Sequence, residues 1–310
     1  MSTLFSRRLV VVSGKGGVGR STVTAALGLA AARSGRRACV VELAGLCALP
    51  PLLGLSGRTY APRTVAGRLD VRSLTPVESV QDFGERKLGL GGIVRAVLGA
   101  RVTGAFLEAV PGFQDLVQLG KVENLISEPL STDPRYDIVF LDAPATGHGL
   151  TLLASAQAMA EMTRVGPFHD LASRIADFLT DPASTTVVPV TLPEELPVQE
   201  TLELAAQLGD ALPTLGGVIV NQVERPHFPS QGWPAVEAAL TAEPGWAPWL
   251  QLARRARARA EDQHTVVQHL HHALSAIAGE VPIVTLPRLD PADPRGTVDR
   301  IASTLAGETS

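Results

Sequence analysis

Cysteine is nearly absent from this chain: Cys39 and Cys47 are its two sulfhydryls, and they are not spaced as a CxxC pair. They fall in or just after an expected strand. That excludes a structural disulfide and a thiolate zinc site, and a reducing compartment fits. Aromatic residues are also scarce, at 4%. A β-sandwich leans on aromatic and β-branched pairs, whereas abundant Ala, Leu and Val suit helices packed on a parallel sheet. Charge is low and almost balanced, with 19% charged residues and a net charge of −4, which gives nucleic acid little to bind. No apolar run approaches the ~18 residues of a membrane span. The run that follows Arg7 and Arg8 stops after Leu9 to Val12, too short for a signal-peptide core. A cytoplasmic protein is expected.

What the chain does have is a rhythm. Its 310 residues, 45% of them hydrophobic, can bury the core of one large α/β domain. Short Val/Ile/Leu runs at residues 9–13, 38–42, 136–142, 186–191, 216–221 and 281–286 read as buried strands. Helical patterns separate them, the first over residues 21–34 and closed by Gly35. Continuous apolar strands alternating with helices predict an α/β fold with a doubly wound, mostly parallel sheet and ligands at the strands' carboxyl ends. The expected organisation is a single domain over residues 1–310. Helical insertions at about 75–130 and 155–182 would form a subdomain on one edge of the sheet, and the Pro-, Gly- and Trp-containing stretch 225–248 an irregular surface loop.

The first strand runs directly into Gly14-Lys15-Gly16-Gly17-Val18-Gly19-Arg20-Ser21-Thr22, and a helix follows. Strand, glycine turn and helix in that order are the setting of a phosphate-binding P-loop. Glycines let successive N–H groups point at a triphosphate, and the helix N-terminus adds its positive end. The reading is an ATP site with Mg²⁺, in which the Ser21 hydroxyl reaches the metal. Asp142 ends the buried strand 136–142 ahead of a glycine-containing loop, a Walker-B-type position for the magnesium shell. Arg20 takes the place of the usual terminal lysine. Its guanidinium keeps positive charge near the β/γ-phosphates in a different shape, so binding is expected to persist and turnover to be slower or differently tuned.

The early lysine, Lys15, makes this loop resemble the deviant Walker A class. Taken with Asp142-Ala-Pro-Ala-Thr-Gly-His148 and the strand-end Asn221, the chain resembles the ArsA family of arsenite-pump and tail-anchored-protein-targeting ATPases. Further similar stretches are Val110 to Leu116, Thr191 to Thr201, and Leu286-Pro287-Arg288-Leu289, so the likeness runs from about Leu9 to Gly296. The resemblance implies a nucleotide-dependent dimer, a homodimer or a heterodimer with a related ATPase. In it, Lys15 acts across the interface and Asn221 reads adenine, with Pro287 beside the nucleotide. It also implies that the segments after Glu42 and from Asp142 to His148 move with nucleotide state, and that a hydrophobic protein or membrane segment is the client.

Departures from the family pattern weigh on that expectation. Where the family places a catalytic Asp after the second strand, this chain has Ala44, with Glu42 two residues earlier. A methyl group cannot orient or deprotonate water. Either Glu42 substitutes as the catalytic carboxylate, or the chain is a weakened pseudo-ATPase that binds ATP for assembly with an active paralogue. Two cysteines disfavour an arsenite site, which needs several thiolates. The CxxC pair of zinc-joined relatives is missing, and methionine occurs three times, at Met1, Met159 and Met162. Apolar residues from Leu88 to Leu107 could line a client groove, although their spacing fits helix packing better. A MinD/ParA-like positioning ATPase would need an amphipathic or basic tail, and Arg300 to Ser310 shows neither. The arginines from Arg254 to Arg259 read as a solvated helix face, as do His269 and His272.

Overall fold

The computed structural model describes residues 2–43, 47–88, 112–127, 135–144, 146–163, 165–208, 212–224, 231–289 and 292–307. Strands β1 (Leu9–Ser13), β2 (Ala38–Leu43), β3 (Arg63–Ala66), β4 (Leu69–Leu74), β5 (Ile138–Asp142), β6 (Thr185–Thr191), β7 (Thr214–Leu215), β8 (Val218–Val223) and β9 (Ile283–Pro287) form one sheet. Its order is β3-β4-β2-β5-β1-β6-β8-β9, with β7 paired to β6. Each pairing is parallel except β3 with β4. This is the doubly wound α/β architecture of P-loop NTPases, and β1 lies at its centre between β5 and β6.

Period-two alternation divides the central strands between two cores. Val10, Val12, Val40 and Phe140 face helices α2 (Arg20–Arg33) and α11 (Pro294–Ala306). Leu9, Val11, Val41 and Leu141 face α5 (Phe113–Ile126), α6 (Thr146–Met162) and α7 (Pro167–Thr180). The helices expected on an edge of the sheet thus cover one of its faces. α4 (Pro76–Leu88) is tied in by polar contacts: Asp82 accepts from Tyr60 Oη at 2.8 Å and pairs with Lys121 of α5. Burial and the Asp82 carboxylate push the Tyr60 hydroxyl pKa well above its ordinary value.

Two expectations need correction. The hairpin β3–β4 joins the sheet ahead of the helical stretch. Its strand β4 carries Asp70 and Arg72, buried because Asp70 accepts from Thr64 and Tyr136 while Arg72 Nε donates to the Tyr60 carbonyl at 2.7 Å. The stretch 225–248, expected as an irregular loop, contains α9 (Trp233–Ala242), a 3₁₀ turn (Pro244–Trp246) and the start of the 32-residue α10 (Ala247–Ala278). Pro234 sits in the first turn of α9, where a missing N–H costs nothing, so proline starts this helix instead of breaking a pattern. The apolar positions proposed for a groove between Leu88 and Leu107 lie outside the described side chains.

Helix α2 must approach β2 closely to hold the loop at the end of β1, and Gly28 permits it. A Cβ there would collide with Val40 Cγ1 and stand 3.0 Å from Leu69 Cδ1. Gly28→Ala gains at most ~1 kcal/mol of helix propensity against ~1–3 kcal/mol of overpacking. A net loss of about 1–2 kcal/mol in urea unfolding is expected, and an unchanged midpoint would show that the packing yields.

Candidate functional site

The glycine turn takes the backbone shape its sequence dictates. Gly14, Gly17 and Gly19 have φ of +147°, +89° and +88°, in the region where a side chain is strained. Gly19 has a second reason to be glycine, because a Cβ would collide with Asn221 Nδ2. That amide donates to the Val18 carbonyl at 2.9 Å and pins the loop to the end of β8. The turn delivers the chain into α2, whose first residues are Arg20, Ser21 and Thr22.

Asp142, fully buried at the end of β5, is the hub of the site. One carboxylate oxygen accepts from Arg20 Nε at 2.7 Å and the other from Ser21 Oγ at 2.6 Å. Arg20 Nη1 also donates to the Gly14 carbonyl at 3.1 Å, so the guanidinium bridges the first and last parts of the loop. Register places this hub, since β1 pairs with β5 with Val12 opposite Asp142. A serine hydroxyl and a carboxylate meeting beside a turn of free amides are hard oxygen donors suited to Mg²⁺. These residues, predicted from sequence as phosphate loop and metal shell, lie together.

Beside them a cavity of about 350 Å³ opens between α2, β8 and the segment after β9. Gly19, Thr22, Asn221 and Pro287, all expected nucleotide contacts, line it. Leu52, Gln222, Arg288 and Thr297 line it too, and the sequence reading did not single them out for it. Gln222 is the one described non-glycine residue with positive φ, at +59°, and strain of this kind gathers where a ligand is gripped. Apolar walls with one buried amide suit a flat, polar-edged base.

Lys15 and Glu42 stand elsewhere. Lys15 Nζ pairs with Glu200 Oε1 at 2.6 Å, on α8 (Glu195–Gln207). Glu42 is fully buried and both its oxygens are engaged. Oε2 accepts from the Ala48 and Leu49 amides at 2.9 and 3.0 Å, at the start of the short helix α3 (Leu49–Leu52), and Oε1 accepts from Ser73 Oγ at 2.6 Å. Ala44 and the His148 side chain lie outside the described residues.

Comparison with known proteins agrees with this geometry. Residues 7–169 match the family model of the anion-transporting ATPases, ArsA_ATPase. The chain is 30% identical to ATPase BagA of Mycobacterium tuberculosis over 236 residues, 74% of this chain and 69% of that protein. It is 26% identical to an ATPase ASNA1 homolog of Entamoeba dispar over 69% of this chain and 76% of that one. With ATPase GET3 of Zygosaccharomyces rouxii the figures are 24% identity over 70% and 73%. With the P-loop at the end of β1, Asp142 fixed against Ser21, and a family model spanning the segment that carries both, the chain belongs to the ArsA family of ATPases.

Proposed function

We propose that this chain binds ATP with Mg²⁺ between the loop Gly14 to Thr22 and Asp142, hydrolyses it, and thereby switches a dimer that acts on a hydrophobic protein or membrane-segment client. The observation that carries the reading is the Asp142 hub, which joins Ser21 and Arg20 where a γ-phosphate would lie. Loop amides hold phosphate oxygens, Arg20 neutralises their charge, and Ser21 with Asp142 organises the metal. Asn221 and Pro287 flank the base. When bound, Mg²⁺ would bridge phosphate oxygens and draw off charge as the terminal phosphoryl group leaves. Lys15 adds a positive charge to the partner protomer's γ-phosphate, which first requires it to leave Glu200.

A second reading is favoured by Glu42. With three donors on its two oxygens, this carboxylate has the contacts of a switch-segment brace and lacks the freedom of a general base. On that reading the chain binds ATP for assembly with an active paralogue and turns it over weakly. Calorimetry with Mg-ATP and phosphate release by the purified chain separate the possibilities. Binding with steady release supports the ATPase, binding without release supports the assembly subunit, and no binding ends both. Glu42→Gln sharpens the choice. If Glu42 is the base, release falls by about 10²-fold or more; if it braces the segment, the change stays within about threefold because the amide keeps an acceptor oxygen.

A further inference from the structure

The hairpin of α9 and α10 is built differently from the rest of the chain. Helix α10 returns from the end of β8 to β9, so it runs against the strands. Its second half packs on the sheet, with Leu270 and Leu274 buried among Val198, Leu202, Val218 and Val220. Gln263 marks the sheet's carboxyl edge, where its side-chain oxygen accepts from the Glu224 amide just past β8 at 2.8 Å. The helix before that point, from Ala247, therefore projects about 24 Å beyond the edge at ~1.5 Å per residue, on the side of the phosphate loop. Out there α9 finds its main packing partners in α10 and the 3₁₀ turn, with a core of only Trp233, Leu250 and Ala253.

This projecting arm exposes what a free surface should bury. Trp246, Trp249 and Leu252 are 53%, 64% and 58% exposed. Together with Val236 and Leu240 of α9, and with Ala253 in the floor, they line an apolar groove of about 760 Å³. A concave aromatic groove on a solvated hairpin is the signature of an interaction site. Charge narrows the choice of partner. Arg254 pairs with Glu237, and Arg257 pairs with Glu261 and stacks on Trp233. Arg255 and Glu243 are exposed and have no ion-pair partner among the described residues. Glu243 precedes Trp246 at the tip, while Arg255 lies about 13 Å along the helix from Trp246. A groove with an anionic end and a cationic end complements its own antiparallel copy. Two arms reaching toward each other across a two-fold axis have that relation.

We propose that the α9–α10 hairpin is a clasp between two copies of this chain, in which Trp246, Trp249 and Leu252 of one copy fill the groove of the other and Arg255 faces Glu243 of the second copy. The inference rests on the reading of the chain as a nucleotide-switched dimer and supplies that dimer with a contact that needs no metal. The expected binding energy is concentrated in the two tryptophans, as at other aromatic-centred interfaces.

Light scattering of the purified full chain with Mg-ATP measures its mass across concentration, and calorimetry on the same samples measures nucleotide affinity. The wild type should be dimeric. The double variant Trp249→Ala, Leu252→Ser should raise the dimer dissociation constant at least ~30-fold while leaving nucleotide affinity unchanged. Arg255→Glu alone should weaken the dimer by about tenfold, and Arg255→Glu with Glu243→Arg should restore it. A nucleotide-binding monomer overturns the clasp alone, whereas loss of nucleotide binding by the wild type overturns the functional reading beneath it. Dimers indifferent to these variants, or a charge swap that fails to rescue, also overturn the clasp. So does sedimentation with phosphatidylserine vesicles that the tryptophan variant abolishes while the mass stays unchanged, since the arm would then be a lipid-binding face.

Discussion

Lys15→Ala is expected to lower ATP turnover by about 10³-fold while ATP affinity stays within about threefold. The asymmetry follows from where the ammonium sits. Lys15 rests on Glu200 of its own α8, away from the Arg20–Asp142 hub, so it adds little to nucleotide binding by its own protomer. A charge brought to the partner's γ-phosphate acts on charge that develops in the transition state, and such contacts appear in kcat before they appear in affinity. Departure from Glu200 is no obstacle. The two side chains are 42% and 29% exposed, and ion pairs of that exposure contribute less than ~1 kcal/mol. Phosphate release and calorimetry on one preparation provide the comparison. Turnover within fivefold of wild type removes the role across the interface, and an affinity loss matching the turnover loss places Lys15 on its own nucleotide.

How much of this was legible beforehand depended on how local each signal was. The strands of the parallel sheet stood out because burial on both faces makes them uninterrupted apolar runs, as in Leu9–Ser13 and Ile138–Asp142. Strand β4 did not, because Asp70 and Arg72 interrupt it, and their partners Tyr136 and Tyr60 lie elsewhere in the sequence. The hairpin at 233–278 was hidden by Pro234 and Trp246, residues whose helical roles depend on position. At the site, the glycine loop was readable since each glycine answers to a local φ or a close approach. Asp142 was readable as a carboxylate ending an apolar strand. Glu200 as the seat of Lys15 was not, because 185 residues separate them and nothing local marks the pair. The strain at Gln222 and the cavity lining of Arg288 and Thr297 likewise depend on β8 and β9 lying side by side.

Arg20→Ala is expected to do two kinds of damage at once, and that combination tests the hub most directly. Asp142 is fully buried and the Arg20 side chain is 10% exposed, so the pair has little solvent screening. Removing the guanidinium leaves a buried carboxylate with the Ser21 hydroxyl as its remaining partner, and a buried pair broken on one side costs about 3–5 kcal/mol. The same substitution takes positive charge from the phosphate loop, so Mg-ATP affinity should fall by more than tenfold, about 1.4 kcal/mol. Arg20→Lys separates the two losses. An ammonium neutralises Asp142 as a point charge, but it has no planar fork with which to bridge Asp142 and the Gly14 carbonyl together. Lysine should therefore recover most of the stability in urea unfolding, and it should change turnover more than affinity because what it alters is the shape of the cation near the γ-phosphate. An Arg20→Ala protein as stable as the wild type would mean that Asp142 needs no cation at rest, and the hub would lose its claim to organise the loop.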